Sequence, residues 1–494
     1  MSIRKIFCAL FFILCTIQST FAIEEELLKK SVELKNGSVL SIIDCVALAF
    51  QNSPKIKRQK YNLDIAKSNV GIARSQYFPV ISAGVGFYNE NNTDNIYYNK
   101  HYRELPNVGV SINELIWNFG KTTAFIKMEE FYKIGAEYEF MDSLCSTLFE
   151  VKAKYYNVLK AQAFVTIAQR KLELYEHFLK IAKKKHGIMT AQLYLTQAKL
   201  ELISAQEEYR NAIIDLNNSM YLANQPDYKI HNTPTFNLQT NFVYKISNKD
   251  FAPEKFDFPM EKAVDIAYQN SPDLQVLIAT KNAMDQSLKY IKRTYFPDLT
   301  AEAGYGLFHT NQTNNNSFHI GVNLSSSVNL MELKHSIKGA DAQINLANNE
   351  IDLFKKDLFF EVKRAFNNVD KAERQVPIAQ KNVNQAIETL NLIEKEYIEG
   401  DIEVIFGTYR DAIVDYINSL SNYVNAMYDY NLALIQVEMA MHYHIFDIHN
   451  KSEHAVHYHS DDLIQHLVEA LNCEGKEEHN HNKKLKRNKK SEKL

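Results

Sequence analysis

The sequence predicts a mainly α-helical chain with transmembrane β-structure, a tandem-duplicated unit of long coiled-coil helices that carries two β-hairpins in all. Three observations predict it. Helix-breaking residues are scarce, the chain repeats itself, and four short segments switch from helical to period-two patterning. Glycine is 15 and proline 10 of 494 residues, about 3% and 2% against usual values of roughly 7% and 5%. No proline lies between Pro106 and Pro226, and across residues 121–221 the glycines are Gly135 and Gly187. Few turns mean long elements. Charged residues at 23% and hydrophobic ones at 46% exclude a disordered chain. A mean hydropathy of −0.32, with no apolar run of about 18 residues in the body, excludes a polytopic helical membrane protein.

The N-terminus reads as a signal peptide over residues 1–22. Arg4 and Lys5 precede an apolar stretch, residues 6–17, and Thr20-Phe21-Ala22 ends on a small residue. Leu14 is too large for a lipoprotein cleavage box before Cys15, so no lipid anchor is expected. Cys45, Cys145 and Cys473 remain, too scattered for a disulfide framework or a zinc site. The net charge of −3 becomes −5 without Arg4 and Lys5. The last thirteen residues hold seven Lys/Arg and one Glu, so the body carries about −11, which does not suit nucleic acid.

The repeat is read directly. Gln51-Asn52-Ser53-Pro54 recurs as Gln269-Asn270-Ser271-Pro272, and Tyr77-Phe78-Pro79 as Tyr295-Phe296-Pro297, both at an offset of 218. Gly109-Val110 recurs at Gly321-Val322, Glu150-Val151-Lys152 at Glu361-Val362-Lys363, and Tyr209 with Asn211-Ala212 at Tyr423 with Asn425-Ala426. The unit is about 215 residues long. The domains expected are the signal peptide, a first repeat over 23–222, an irregular connector over 223–258 with several prolines, a second repeat over 259–442, and a tail over 443–494.

Each unit opens with a short helix, residues 41–51 or 259–269. Ser53 and Ser271 then suit an N-cap, with Pro54 and Pro272 at the first helical position. The next helix stops at the Phe-Pro pair. After it, Ile81, Ala83, Val85 and Phe87 alternate with Ser82, Gly84 and Gly86. The same alternation marks strands at about 80–88, 107–117, 298–308 and 318–328. Tilted strands of this length cross a bilayer. Tyr77, Phe78, Trp117, Phe119, Tyr295 and Phe296 sit where an interfacial aromatic girdle belongs. The alternative is two ordinary hairpins on a soluble core. Four strands cannot close a barrel of about eight or more, so a membrane reading requires several chains. Two, three or four chains give eight, twelve or sixteen strands, and the residues alone do not choose.

Residues 121–185 hold no proline and predict a helix of about 98 Å. Leu144, Leu148, Val151, Tyr155 and Val158, then Val165, Ala168, Leu172, Tyr175, Leu179 and Ala182, follow 3-4 spacing, as in a left-handed coiled coil. Gly187 is expected to end that helix, and a second returns to residue 222. In the second unit, residues 334–399 descend, Gly400 turns, and residues 411–442 return. Pro377 should kink the descending helix.

These residues resemble the TolC family of bacterial outer-membrane efflux proteins. The resemblance rests on Ala47-Leu48-Ala49-Phe50-Gln51-Asn52-Ser53-Pro54, on Ala73-Arg74-Ser75-Gln76-Tyr77-Phe78-Pro79, and on Leu115-Ile116-Trp117-Asn118-Phe119-Gly120-Lys121. Tyr397-Ile398-Glu399-Gly400 and Asp411-Ala412 extend it, so that it covers about residues 40–442. It implies a homotrimer whose twelve strands form an outer-membrane barrel in lipid, continued by a periplasmic α-helical tunnel. It implies as partners a periplasmic adaptor (membrane fusion) protein and an inner-membrane pump or ABC transporter of a tripartite efflux or type I secretion system. It implies a passive conduit opened by those partners, with no catalytic centre and no cofactor. The tunnel entrance would lie at helix-turn tips, Gly187 and Gly400. The family's Asp-x-x-Asp constriction is matched at its second aspartate by Asp411, while Thr408 takes the first place after an apparent two-residue insertion. Asp401, Glu403, Asp415 and Tyr397 are further entrance candidates. Three-fold symmetry would make each carboxylate a ring that selects cations; the plainer reading is solvated charge on a helix surface. Asn329-Leu330-Met331-Glu332-Leu333-Lys334 lacks the glycine of the first unit's junction.

Nine of the 16 histidines lie from His442 onward. His454, His457 and His459 offer weak metal ligation, and a disordered periplasmic tail is the simpler expectation. Two other functions stay open from the residues: a metal-ion efflux channel of the same family, and a secreted coiled-coil scaffold. No nucleophile–base pattern or phosphate loop points to an enzyme.

Overall fold

The structure, a computed structural model, describes residues 37, 39–89, 104–182, 185–222, 228–230, 258–309, 314–399 and 402–442. The signal segment, most of the connector, the tail with His454, His457 and His459, and Gly400 and Asp401 lie outside the described residues. In chain order the elements are β1 (Val39–Leu40), α1 (Ile42–Asn52), α2 (Pro54–Ser75), β2 (Val80–Asn89), β3 (Glu104–Trp117), α3 (Lys121–Ile181), α4 (Lys185–Ser219), β4 (Lys229–Ile230), α5 (Met260–Asn270), α6 (Pro272–Arg293), β5 (Asp298–His309), β6 (Asn314–Ser325), α7 (Leu330–Glu399) and α8 (Ile402–Met441). Two compact units share these elements.

The unit of Arg58–Phe140 and Pro272–Lys355 holds a four-stranded antiparallel sheet of order β2-β3-β5-β6. The register sets Ala83, Val110, Tyr305 and Phe318 in one row and Ile81, Ile112, Ala303 and Ile320 in the next. This apolar face is open: Phe318 is 71% and Ile320 76% exposed. Gly84, Gly109 and Gly306 line up across three strands on the opposite face, beside Ser82, Ser111 and Gly304. The His319 ring lies across Gly304, where a Cβ would collide with it. A bulge between Leu115 and Trp117 pairs Trp117 with Leu299. The extra residue turns the indole onto the apolar face, where strict alternation would deny it a place.

The junctions explain the repeated aromatic motifs. Phe119 (φ 56°) and Gly120 (φ 81°) reverse the chain between β3 and α3. Phe119 stacks on Phe296 at 4.9 Å, and Trp117 meets Phe119 edge-on. Arg293 Nη1 donates to the Gly120 carbonyl at 2.8 Å. The Lys121 ammonium donates to the Phe296 carbonyl at 3.1 Å and lies 2.6 Å from Asp298 Oδ1. In the second repeat Asn329 takes over from the glycine turn. Its Oδ1 accepts from Met331 and Glu332 N–H at 3.1 and 3.3 Å, an N-cap for α7. β6 occupies Asn314–Ser325, earlier in the chain than the alternation alone suggests.

The described residues of the other unit, which spans Met1–Lys57, Met141–Ser271 and Lys356–Leu494, are mainly helical apart from the parallel pair β1 and β4. Ser41 and Asp44 form a capping box on α1. Ser53 serves twice: its N–H closes α1 on Ala49 O, and its Oγ accepts from Ile56 N–H. Within this unit α3 is tied to three helices. Lys154 and Lys171 reach Asp215 and Glu201 on α4. Lys152 pairs with the buried Glu438 of α8 at 2.8 Å, and His177 meets Glu394 of α7 at 2.7 Å. That many neighbours overrule a single seam. Leu144, Leu148, Val151, Tyr155 and Val158 are buried as their spacing predicts. Beyond them Ala168 and Tyr175 are buried as expected, but Val165, Leu172 and Leu179 are only half-buried, and Ala163, Ile167, Leu174 and Phe178 join the core. Those residues pair off at an eleven-residue spacing, which relaxes the left-handed supercoil.

α7 keeps 3-4 spacing more strictly, through Val362, Ala365, Val369, Ala372 and Val376, then Gln380, Val383, Ile387 and Leu390. The one 4-4 step, from Ala372 to Val376 to Gln380, flanks Pro377. The helix runs on through the proline, and the phase change lets it continue along the same neighbour. A groove of about 540 Å³ opens there between α7 and α8. α4 buries Ala191, Ala198 and Leu216 on one side. On another, Met189, Leu193, Thr196, Leu200, Ile203, Glu207, Arg210 and Ile214 form an uninterrupted exposed 3-4 seam. Gly187 does not end the descending helix: α3 stops at Ile181, and Gly187 is the third residue of α4.

Gly120→Ala should destabilise the assembled protein by about 1–3 kcal/mol. The added methyl strains a left-handed residue and stands 2.8 Å from Arg293 Nη1. The urea midpoint of the folded protein measures the loss; an unchanged midpoint would show that the Arg293 clasp does not hold this turn.

Candidate functional site

The ends of α3 and α7 and the starts of α4 and α8 meet in an aromatic cluster. Tyr175 stacks on Tyr194 at 5.5 Å, and Tyr397 on Tyr409 at 5.4 Å. Phe178 contacts both Tyr397 and Tyr409, at 6.2 and 5.1 Å. Tyr397, one of the sequence candidates, is therefore a packed core residue here, 4% exposed. The cluster clamps the helix ends of both repeats at one place. It also contains a built-in cost. Tyr175 Oη and Tyr409 Oη are buried without a hydrogen-bond partner among the described residues. Burial, with Tyr194, Glu201 and Asp411 nearby, pushes the Tyr175 hydroxyl up to about 12, although Arg410 opposes the shift. Burial, with Glu394 and Tyr397, also raises that of Tyr409. Both stay neutral at ordinary pH, and each unmet hydroxyl costs about 1–3 kcal/mol.

Asp411 and Asp415 are exposed on α8, one turn apart. The Asp411 carboxylate is occupied: Arg410 donates to its Oδ1 from Nε at 2.8 Å and Nη2 at 2.6 Å. The same guanidinium lies 5.8 Å from the Tyr194 ring and 3.5 Å from its hydroxyl. The α8 backbone includes Glu403, whose side chain lies outside the described residues, as do Asp401 and Gly400.

The sequence reading missed most of one feature. Thr408, Asp411, Asp415, Asn418, Asn422, Asn425 and Asp429 recur at 3-4 spacing along α8. All are exposed except the half-buried Asn425, and the rest of the helix between them is buried or partly so. The signal was present as a helical period of Asp and Asn. It was obscured because the buried faces of α8 are themselves rich in Tyr and Ser, so polarity alone does not mark the outward side. Lys160 of α3 approaches Asp429 at 3.4 Å. Asp415 has no ion pair among the described residues. An exposed row of carboxylates and amides on an otherwise packed helix can line water and attract cations; it holds no nucleophile–base pair.

A family model described as outer membrane efflux protein matches residues 46–222 and 263–441, the two repeats. No curated protein matches the chain. Among solved structures, the chain is similar to that of CusC, described in a study of folding and transmembrane channel formation: 13% identity, 83% of this chain and 95% of that one covered, TM-score 0.69. It is similar to the Campylobacter jejuni CmeC outer membrane channel at 16% identity, with 86% and 92% covered and a TM-score of 0.66. It is similar to the open state of the Neisseria gonorrhoeae MtrE outer membrane channel at 12% identity, with 81% and 88% covered and a TM-score of 0.65. At these identities the likeness establishes the fold.

Tyr409→Phe should leave the helical unit as stable or more stable by about 1 kcal/mol, because an unmet hydroxyl disappears. Tyr409→Ala should cost about 3–5 kcal/mol. Thermal unfolding followed by helical circular dichroism compares the two; a large loss in Tyr409→Phe would mean that the hydroxyl has a partner.

Proposed function

We propose, from the premise that this chain belongs to the outer membrane efflux protein family, that three copies close one conduit and pass cargo received from partners in the periplasm. Membership makes the chain an outer-membrane efflux channel of the TolC family and not an enzyme, and it sets aside the secreted scaffold.

The observation that carries closure by several copies is the sheet; the number three is what the family resemblance implies. Its four strands present an open apolar face, and β2 and β6 each have an unpaired edge among the described residues. In lipid an unpaired edge is not tolerated. Pairing β2 of one copy with β6 of the next removes every edge, and three copies give twelve strands, within the known range of barrels. The exposed seam of α4 independently supports a helix of a second copy packing along it, since a solvated seam with five large apolar residues is otherwise unexplained. On this reading the apolar face meets lipid, the glycine- and serine-rich face meets the lumen, and Trp117, Tyr77 and Phe78 lie at the bilayer boundary.

The α8 row of Asp and Asn then lines the tunnel toward the helix ends. The aromatic cluster holds those ends together until an adaptor protein and an inner-membrane pump or ABC transporter engage them. The two unmet hydroxyls favour that separation, since water would satisfy both. Cargo crosses passively, with no covalent step. A metal-ion specialisation rests only on His454, His457 and His459.

Purified mature protein should have the mass of three chains in detergent and give discrete conductance steps in planar bilayers. Ile320→Arg should cost about 2–4 kcal/mol on the lipid-facing side and deplete the trimer from the outer-membrane fraction. A monomer that never inserts would defeat the reading.

A further inference from the structure

We propose that Asp415, rather than Asp411, sets the charge that a permeating ion meets at this entrance, because Arg410 cancels Asp411 within the same helix. The proposal rests on the reading of the α8 row as tunnel lining.

Three observations support it. First, the Arg410–Asp411 pair is better held than an ordinary surface ion pair. Exposed pairs contribute little when two flexible side chains must be ordered for one contact. Here two guanidinium N–H groups converge on one carboxylate oxygen, at 2.6 and 2.8 Å. The guanidinium is also placed by the Tyr194 ring and hydroxyl of α4. Tyr194 is in turn fixed by its stack on the fully buried Tyr175. The ordering is thus supplied by the aromatic cluster and not by the ion pair alone. Second, the other candidate carboxylate of the row, Asp429, has Lys160 beside it. Third, Asp415 has no ion pair among the described residues, and the α3 cation that reaches the adjacent Tyr416 is already engaged. Arg170 bonds Glu173 at 3.0 Å and interacts with the Tyr416 hydroxyl, on the neighbouring residue's side of α8. Asp415 therefore projects an uncompensated negative charge from an exposed position, one helical turn further along α8 from a neutral pair. Three-fold repetition makes it a ring, and such rings select cations.

The test is the reversal potential of single channels of the full-length mature protein in a potassium chloride gradient. Asp415→Asn should lower the potassium-to-chloride permeability ratio by about threefold or more. The double variant Arg410→Gln/Asp411→Asn removes both charges of the pair and should keep the wild-type ratio. Arg410→Gln alone should raise the ratio, since it releases a second ring of carboxylates. Arg410→Lys/Asp411→Glu, which keeps both charges, and the trimer mass of each variant report whether the helix ends stay assembled. A fall in the ratio for Arg410→Gln/Asp411→Asn as large as that for Asp415→Asn would overturn the proposal, as would an unchanged ratio in Asp415→Asn. If removing all three charges together leaves the ratio at the wild-type value, the α8 row does not line the conduit, and the entrance reading fails along with this one.

Discussion

A backbone amide in hydrocarbon must find its hydrogen-bond partner within protein, and this constraint governs the whole architecture. The sheet of this chain satisfies it internally along three strand pairs and leaves it unmet at the outer sides of β2 and β6. A soluble protein could cover such edges with charge or a loop. Here the sheet also exposes Val85, Phe318, Ile320 and Val322 on one continuous face, which suits lipid, and closure by further copies of the chain is the proposed answer. The duplication follows from the same requirement. One repeat yields a hairpin, two yield a sheet joined through β3 and β5, and in the proposed assembly further copies of the chain complete the closure.

The helical unit solves a different problem. Long helices must pack on several neighbours at once without a hydrophobic effect strong enough on any one face. α3 does so by shifting its buried residues midway, from the seam through Val158 to one through Ala163 and Phe178. α7 does so with a stutter at Pro377. Charge pairs between α3 and its neighbours fix register more than stability. The buried Lys152–Glu438 pair is the exception, because leaving either partner alone in that environment would be costly. The helix ends are held by aromatic stacking that leaves two hydroxyls unmet. A clamp with a stored cost separates more readily than a fully satisfied one, which suits the proposed opening by partners.

Much of this was legible in the residues. The repeat, the period switch after each Phe-Pro pair, the serine cap before Pro54, and the absence of breakers over α3 are local properties, and local physics produces them. Asp411 was legible as an entrance candidate only through resemblance, and its pairing was not. Arg410 stands next to it in sequence, but what orders Arg410 is Tyr194, more than two hundred residues away in the chain. Tyr397 was legible as a tip residue and not as buried, because its burial depends on Phe178 and Tyr409 arriving from two other helices.

By itself, then, the sequence determined which segments are helix and which are strand, that the unit occurs twice, and that the strand faces differ in polarity. These follow from spacing, capping and backbone preference, which act over a few residues. Only the tertiary structure decided which face of α8 looks outward, which residues of α3 form the core past Val158, and which carboxylate keeps its charge. A helix with several neighbours has no single inside that its period can announce, and the charge on a side chain depends on partners that folding brings from far along the chain.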